Sequence, residues 1–411
     1  MRNILTFITL FVFLYSVSAK QIIVCESCEI NSIKVAVNQS VDGDEILVKA
    51  GTYKEQDIII IDRNISIIGE NSPVVDGQNS GTVFSFRTDS FSLRGLKIIN
   101  VGHSYTKDFA AVLVSKSKHF VISDMILEKV FFGFLIEKCK KGIIENNFIS
   151  SENTDEAGAG NGVHMWHCFD MTVRHNEVHN MRDGIYFEFV KRSVIYDNHS
   201  YHNIRYGLHF MFSNNNEYYK NVFENNGAGV AVMFSKFIKM HDNKFILNWG
   251  TASYGLLLKE IYDAEIYNNT FANNTIGINI EGSTRINYSH NNFKSNGWAV
   301  KVRGACYKND FVNNNFMQNA FDISYNSKLN GNRFHNNYWS DYTGYDLDKD
   351  GIGDVPYRPV KLFSYIVNKT PETIVLLRSL FVDIINFSEK ISPVFTPDDL
   401  MDNAPSMFLI E

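Results

Sequence analysis

Beyond residue 19 the chain has no apolar run of the roughly 20 residues that a bilayer-spanning helix needs, so the body of the protein is not expected to cross a membrane. It also lacks a basic stripe. Its 39 Lys and Arg are scattered among 45 Asp and Glu, which excludes the electrostatic footprint of a nucleic-acid binder. Leucine does not recur where a leucine-rich repeat requires it. Proline is scarce too, with seven in the chain and three of these beyond residue 390.

The one long apolar run is N-terminal. Arg2 precedes ILTFITLFVFLYSV, and Val17-Ser18-Ala19 supplies small residues suited to cleavage before Lys20. This is the phrasing of a secretory signal peptide over residues 1–19, so the mature chain is expected to be exported. Cys25 follows Ile22-Ile23-Val24, which is not a lipidation box. Five cysteines leave at least one unpaired. Cys25-x-x-Cys28 reads as a small disulfide loop in an exported chain. Its sharper alternative is a soft-metal clip, since two thiolates are half a tetrahedral zinc site but can hold a two-coordinate copper(I). Cys139, Cys168 and Cys306 read as buried small hydrophobes.

What is abundant is repetition. Gly133, Gly162, Gly184, Gly207, Gly229, Gly255 and Gly277 each open a short alternating segment, at intervals of 29, 22, 23, 22, 26 and 22 residues. A second marker, Asn-x-Phe or a variant, recurs at Asn146, Asn176, Asn198, Asn221, Asn243, Asn269, Asn291, Asn314 and Asn332. One short period shared by two markers, with β-rich runs between them, is a solenoid signature. The expected fold is all-β: a right-handed parallel β-helix over residues 20–358, capped at about 20–45, followed by a C-terminal helix and extended arm over 359–411. Equivalent residues of successive coils then stack about 4.8 Å apart. Asn suits the turn because it tolerates left-handed backbone angles, and its amide can bond the next Asn along the axis. The segment CEINSIKVAVNQS, residues 28–40, is expected to supply a short helix that covers the open first coil.

Two intervals exceed the period. The extra residues, around 151–161 and 247–254, both precede the repeat glycine, so they project on one side and wall off a surface over 162–255. In the segments between them, strand alternation sends positions one and three after each glycine inward and positions two and four outward. The outward columns read His164, Tyr186, His209, Ala231, Leu257 and, beside them, Trp166, Glu188, Met211, Met233, Lys259. Exposed Met serves adaptable protein contact or soft-metal binding. His209, Met211 and Met233 are therefore candidate copper(I) ligands, with Glu188 and His164 as lesser candidates. A docking patch for another protein is the competing reading. The neighbouring set Met165, His167, Cys168, Met171, His175 and His179 straddles both faces and reads as packing and turn residues. A polysaccharide lyase or epimerase on the same scaffold would need a base, a cation for the uronate carboxylate, and often clustered Asp. The columns offer one Glu and one Lys, and no Asp-Pro-His-Glu segment is present.

Near the end, Asp346, Asp348, Asp350 and Gly351 match the opening of a calcium loop, with Asp354 at its ninth position but Tyr357 where the bidentate Glu belongs. Calcium as a structural cap is expected there, with an Asp/Gly turn as the alternative. The segment TPETIVLLRSLFVDIINFSEK is apolar at helical spacing, with Thr370 as N-cap and Pro371 at the first helical position. This helix is expected to pack over the last coil or to face a membrane partner.

The segments DGIYFEF, RYGLHFMFS, GAGVAVMFS, YGLLLKE, NYWSDYTGYDLDKDGIGDVPYRP and the terminal LLRS, PVFTPDDLMD and APSM together resemble the NosD family, over essentially the whole mature chain. Cys25-x-x-Cys28 has no counterpart in that pattern. The resemblance implies a periplasmic, non-enzymatic maturation factor of nitrous oxide reductase. Such a factor docks on the membrane subunit of an ABC transporter with a cytoplasmic ATPase. It receives copper from a chaperone lipoprotein and helps the reductase acquire its copper-sulfur centre. The resemblance supplies no ligand set; the residues above come from the column argument.

Overall fold

The computed structural model describes residues 19–152, 155–326, 331–377, 379–391 and 400–411. The signal-peptide reading, apart from Ala19, and the middle of the terminal arm, 392–399, lie outside the described residues. The described chain winds into a parallel β-helix with three sheets, of 14, 12 and 13 strands, each coil giving one strand to each sheet. All the named pairings are parallel and join a strand to its equivalent one coil later, as Ile185↔Leu208 and Leu208↔Val230 illustrate.

Period and glycine are linked through close approach. The repeat glycines sit where the chain enters a strand, and each faces the carbonyl of the residue one coil on, a glycine for all but Gly277, which faces Ala299. A Cβ on Gly207 would lie 2.8 Å from the Gly229 carbonyl oxygen and 2.8 Å from Asn226 Nδ2. A Cβ there would force the backbone apart, so the column is Gly from Gly133 to Gly277 and no larger than Ala at Ala111 and Ala299 on either side.

The asparagines form buried ladders. Asn198 Nδ2 donates to Asn221 Oδ1 at 3.0 Å and to the Val173 carbonyl at 3.0 Å, while Asn198 N donates to the same Asn221 oxygen at 3.1 Å. That pattern runs through Asn147, Asn176, Asn198, Asn221, Asn243, Asn269, Asn291, Asn314 and Asn337. Two markers shift. Asn146 is a left-handed corner residue (φ 56°) and its neighbour Asn147 enters the ladder instead. Asn332 belongs to a different corner, where it accepts from Asn309. A second full ladder, Asn203, Asn226, Asn248, Asn274, Asn296 and Asn319, lines another corner. Inside the tube Phe223, Phe245, Phe271, Phe293, Phe316 and Trp339 stack at centroid spacings of 4.1 to 5.5 Å, each stacked pair adding about 0.5–1.5 kcal/mol beyond its buried area.

Both ends are covered, which removes exposed sheet edges. At the first coil, helix α1 (Ile33–Gln39) is capped by Ser32 Oγ, which accepts from Val35 N, and it buries Ile33, Ala36 and Val37. The Glu55 carboxylate adds acceptors for the amides of Ile33 and Lys34. Cys25 and Cys28 beside it are joined by a disulfide. Cys139, Cys168 and Cys306 are buried thiols.

The far end departs from the single expected helix. Two α-helices, α2 (Leu362–Lys369) and α3 (Leu380–Ile391), flank a 3-10 turn at Pro371–Leu376. Thr370 makes no side-chain cap, and the helical pattern breaks there because Pro371 cannot continue α2. Phe363, Val367 and Val382 pack on Ile276, Trp298 and Phe321 at strand starts of the glycine-bearing sheet. The arm is not free: its last residues return to the final coil, with Asp402 bridging to Phe334 and Tyr357, and Ser406 to Tyr338.

Candidate functional site

The glycine-bearing sheet sets its outward columns in register. His164, Tyr186, His209, Ala231 and Leu257 are successive partners, and so are Trp166, Glu188, Met211, Met233 and Lys259. Met211 and Met233 are thus adjacent on neighbouring coils, and both are half-buried on the outer wall. His209 lies two residues from Met211 on the same face.

The first column is not open surface. His209 is only 5 % exposed, although alternation points it outward, because aromatic rings cover it. Tyr186 and Tyr206 stand 5.1 and 4.8 Å from its ring centroid. Ala231 and Leu257 beyond it are buried as well. Tyr254, from the second projecting loop, lies close to Tyr206; burial first, then Tyr206, pushes its phenol up.

Beneath these rings lies a set of polar groups that the sequence columns did not contain. Asp183, fully buried just before Gly184, places Oδ2 3.5 Å from His209 Nδ1 and Oδ1 3.6 Å from Arg205 Nε. Arg205 also reaches Glu156 of the first projecting loop at 3.3 Å, and its guanidinium lies over the Tyr206 ring. Both oxygens of Asp183 and both ring nitrogens of His209 lack a hydrogen bond of normal geometry. His164 is differently placed: its Nδ1 lies 3.1 Å from Asn161 Nδ2, and burial, then Arg182, lower its pKa to about 4. Tyr186 is pushed up to about 12 by burial, then by Glu188 and Asp183. The charged residue beside a repeat glycine was the one signal for Asp183: its register partner is Tyr206, whose own partner is Ala228.

A third feature also escaped the column reading. The corner after the Met column holds His167, Phe189, Phe212 and Phe234, stacked at 4.6, 5.3 and 5.1 Å, all with φ between 49° and 56°. Left-handed angles are uncommon for bulky residues. The same corner carries Lys138 before this run and Glu260 and Gly282 after it. The aromatic ridge therefore coincides with the coils that bear Met211 and Met233. Of the other His and Met in this region, Met165, Cys168 and Met171 are core, and His167 and His175 are left-handed corner residues.

In the Asp-rich loop, ligand oxygens of Asp346, Asp348 and Asp350 lie within 4.8 Å of one another. Asp348 is raised, first by repulsion from Asp350. Asp354 stands apart from that group and accepts from Leu347 N at 2.7 Å.

This is the architecture of a solenoid scaffold with a Met/His-bearing outer wall between two projecting loops, closed at both ends. Residues 150–344 match the family model described as NosD, periplasmic copper-binding protein. The "Probable ABC transporter binding protein NosD" of Pseudomonas aeruginosa is 26% identical over 388 residues, 89% of each chain. Over these spans the chain is similar to NosD proteins. Among solved structures it is similar in fold to the catalytic unit of an α-1,3-glucanase from Streptomyces thermodiastaticus. That match has TM-score 0.60 and 14% identity, with 75% of this chain and 65% of that one covered. It is also similar to the A-module of the Azotobacter vinelandii mannuronan C-5 epimerase AlgE6, with TM-score 0.54, 11% identity, and 76% and 96% covered. Identity that low carries the β-helix alone, not the chemistry of either enzyme.

Proposed function

We propose that this chain is an exported, periplasmic, non-enzymatic accessory protein for copper-centre assembly of nitrous oxide reductase, which takes up copper(I) and hands it on. Residues 1–19 serve as its export signal. The observation that carries the reading is the register of Met211 with Met233 on one outer wall, two residues along the strand from His209. Thioether and imidazole are donors that soft copper(I) accepts, and the family description is of copper binding. Glu188 and His164 are secondary: the charge of one raises the Tyr186 phenol and the other is held by Asn161.

Copper arrives from a chaperone lipoprotein and leaves for the reductase, and the chain is held at the inner membrane by the membrane subunit of an ABC transporter. The relative's name supports the transporter partner. The C-terminal helices offer the contact, because Leu380, Phe381, Ile384 and Phe387 of α3 are exposed opposite the packed Val382. Asp346, Asp348 and Asp350, with Asp354 nearby, are proposed to bind calcium as a cap on the last turns.

Copper(I) titration of the mature chain against a Met211→Leu, Met233→Leu double variant tests the reading; unchanged affinity rejects it. The second reading, a docking wall without metal, draws on the Phe189, Phe212 and Phe234 ridge. It predicts that neither form binds stoichiometric copper while the double variant loses association with reductase or chaperone. A polyuronate cleavage and epimerisation screen separates both from a carbohydrate-active enzyme.

A further inference from the structure

Buried polar groups in native proteins are almost always paired, and those that are not call for a reason. Along the outer wall the unpaired set is concentrated. Asp183 and His209 are at least nine-tenths buried, and neither carboxylate oxygen nor either ring nitrogen has a hydrogen bond of normal geometry. They nonetheless face each other, with Asp183 Oδ2 3.5 Å from His209 Nδ1. Arg205 Nε stands 3.6 Å from the other oxygen, so the carboxylate sits between a guanidinium and an imidazole. A closure of a few tenths of an ångström would bring the His209 pair within hydrogen-bond distance.

The consequence is a choice of tautomer. An imidazole that gives its Nδ1 proton to a carboxylate keeps a lone pair on Nε2, and this is how ligating histidines are oriented in metal sites. His164 shows the opposite arrangement: an amide NH2 can only donate, so Asn161 Nδ2 occupies the Nδ1 lone pair and leaves the proton on Nε2. Two histidines in the same outward column are thus prepared differently. One is set to donate a lone pair and the other is not.

We propose that Asp183 is the positioning residue of the copper(I) face: it fixes His209 with Nδ1 protonated and Nε2 free, two residues along the strand from Met211, while Arg205 ties Asp183 to Glu156 of the first projecting loop. This rests on the copper reading above. Copper would bond to Nε2, with Nδ1 turned to the Asp183 side. The Nε2 atom is shielded from solvent and the Tyr186 and Tyr206 rings flank the imidazole, so loading requires a covering ring to turn aside.

Two measurements on the full mature chain test it. Long-range 1H–15N correlation of the metal-free protein reads the His209 tautomer, with Asp183→Asn as comparison. Competition of copper(I) against a chromophoric chelator reads affinity in the wild type, Asp183→Asn and, as a control, His175→Gln at an exposed corner. We expect an Nδ1–H tautomer in the wild type that Asp183→Asn changes, copper(I) affinity lower by about 10–100-fold in Asp183→Asn, and no comparable loss in His175→Gln. An Nε2–H tautomer in the wild type overturns the proposal, as does unchanged affinity in a folded Asp183→Asn protein; either result leaves copper binding itself intact. If the wild type binds no copper(I), the copper reading fails and the positioning role falls with it. Should Asp183→Asn not fold, the wild-type tautomer decides.

Discussion

Asn337 hands the long asparagine ladder to Asp402: one carboxylate oxygen of Asp402 accepts from Asn337 N, Asn337 Nδ2 and Trp339 Nε1, each at 3.0 Å. The residue comes from the terminal arm, 65 positions later, and is fully buried. An arm that looks structureless in sequence therefore supplies the acceptor that the next coil would have supplied. Replacing Asp402 with Ala strands three buried donors, each costing about 1–3 kcal/mol. Asp402→Ala is expected to lower stability by roughly 3–5 kcal/mol, and Asp402→Asn by less, since its amide oxygen can still accept. Urea unfolding midpoints of the two variants check this, and equal midpoints would show that the arm is not the end of the ladder.

The adjacent pair Asn146 and Asn147 separates corner from ladder. Asn147 Nδ2 donates to Asn176 Oδ1 at 2.8 Å and its own oxygen accepts from Met125 N, whereas Asn146 is the exposed left-handed residue. Asn147→Ala is expected to cost about 2–4 kcal/mol by leaving buried partners unmet. Asn146→Gly is expected to stay within about 0.5 kcal/mol, because glycine adopts the same angles freely. Thermal melts of the two single variants make the comparison.

This pair also marks how far the sequence could be read. The solenoid was legible because its period is written twice, in glycines that admit no Cβ and in asparagines that bond along the axis. Which of two neighbouring asparagines enters the ladder was not, since Asn146 and Asn147 differ only in the backbone angle each takes. The outer wall was legible as alternation, and so was the Met211 and Met233 register. The burial of His209 was not: its cover comes from Tyr186 one coil earlier and Tyr206 before the repeat glycine, where strict alternation breaks at a corner. Asp183 was missed for the same reason, as it precedes the glycine rather than following it.

The second ladder ends on Asp322, which accepts from Asn319 Nδ2 at 3.2 Å. Complete burial pushes its pKa from 3.8 up to about 7. His164 moves the other way, from 6.5 to about 4, through burial and then Arg182. A raised carboxyl stabilises fully below its unfolded pKa and loses that contribution as pH rises through its folded value; a lowered histidine stabilises above its unfolded pKa and loses that as pH falls. Between about pH 4 and 6.5 the two oppose each other, each worth at most about 3–4 kcal/mol at about 1.4 kcal/mol per unit. Wild-type stability should therefore change little across that window. Asp322→Asn should leave a chain that weakens on acidification, and His164→Gln one that strengthens. Urea midpoints across the window for the three proteins check the signs, and parallel curves would contradict them.

The face of α3 away from the solenoid gives a prediction about partnership separate from folding. Val382 is buried against the sheet side with Phe363 and Val367, while Leu380 and Phe387 are 75% and 65% exposed. Burying a Phe or Leu side chain contributes about 1.5–3 kcal/mol, so the side chains that are packed should matter to the fold and those that are exposed should matter only to what they meet. Phe363→Ala is expected to cost about 3–5 kcal/mol of hairpin docking, read as increased amide exchange in 362–391. Leu380→Ser with Phe387→Ser is expected to leave the melting curve within about 0.5 kcal/mol of wild type. The same double variant should lose co-purification with the transporter's membrane subunit, because an apolar helix face this large, uncovered in the isolated chain, is the surface a membrane-embedded partner can bury. Retained co-purification would move the transporter contact elsewhere, with the half-exposed aromatic ridge at Phe189, Phe212 and Phe234 as the next surface to test.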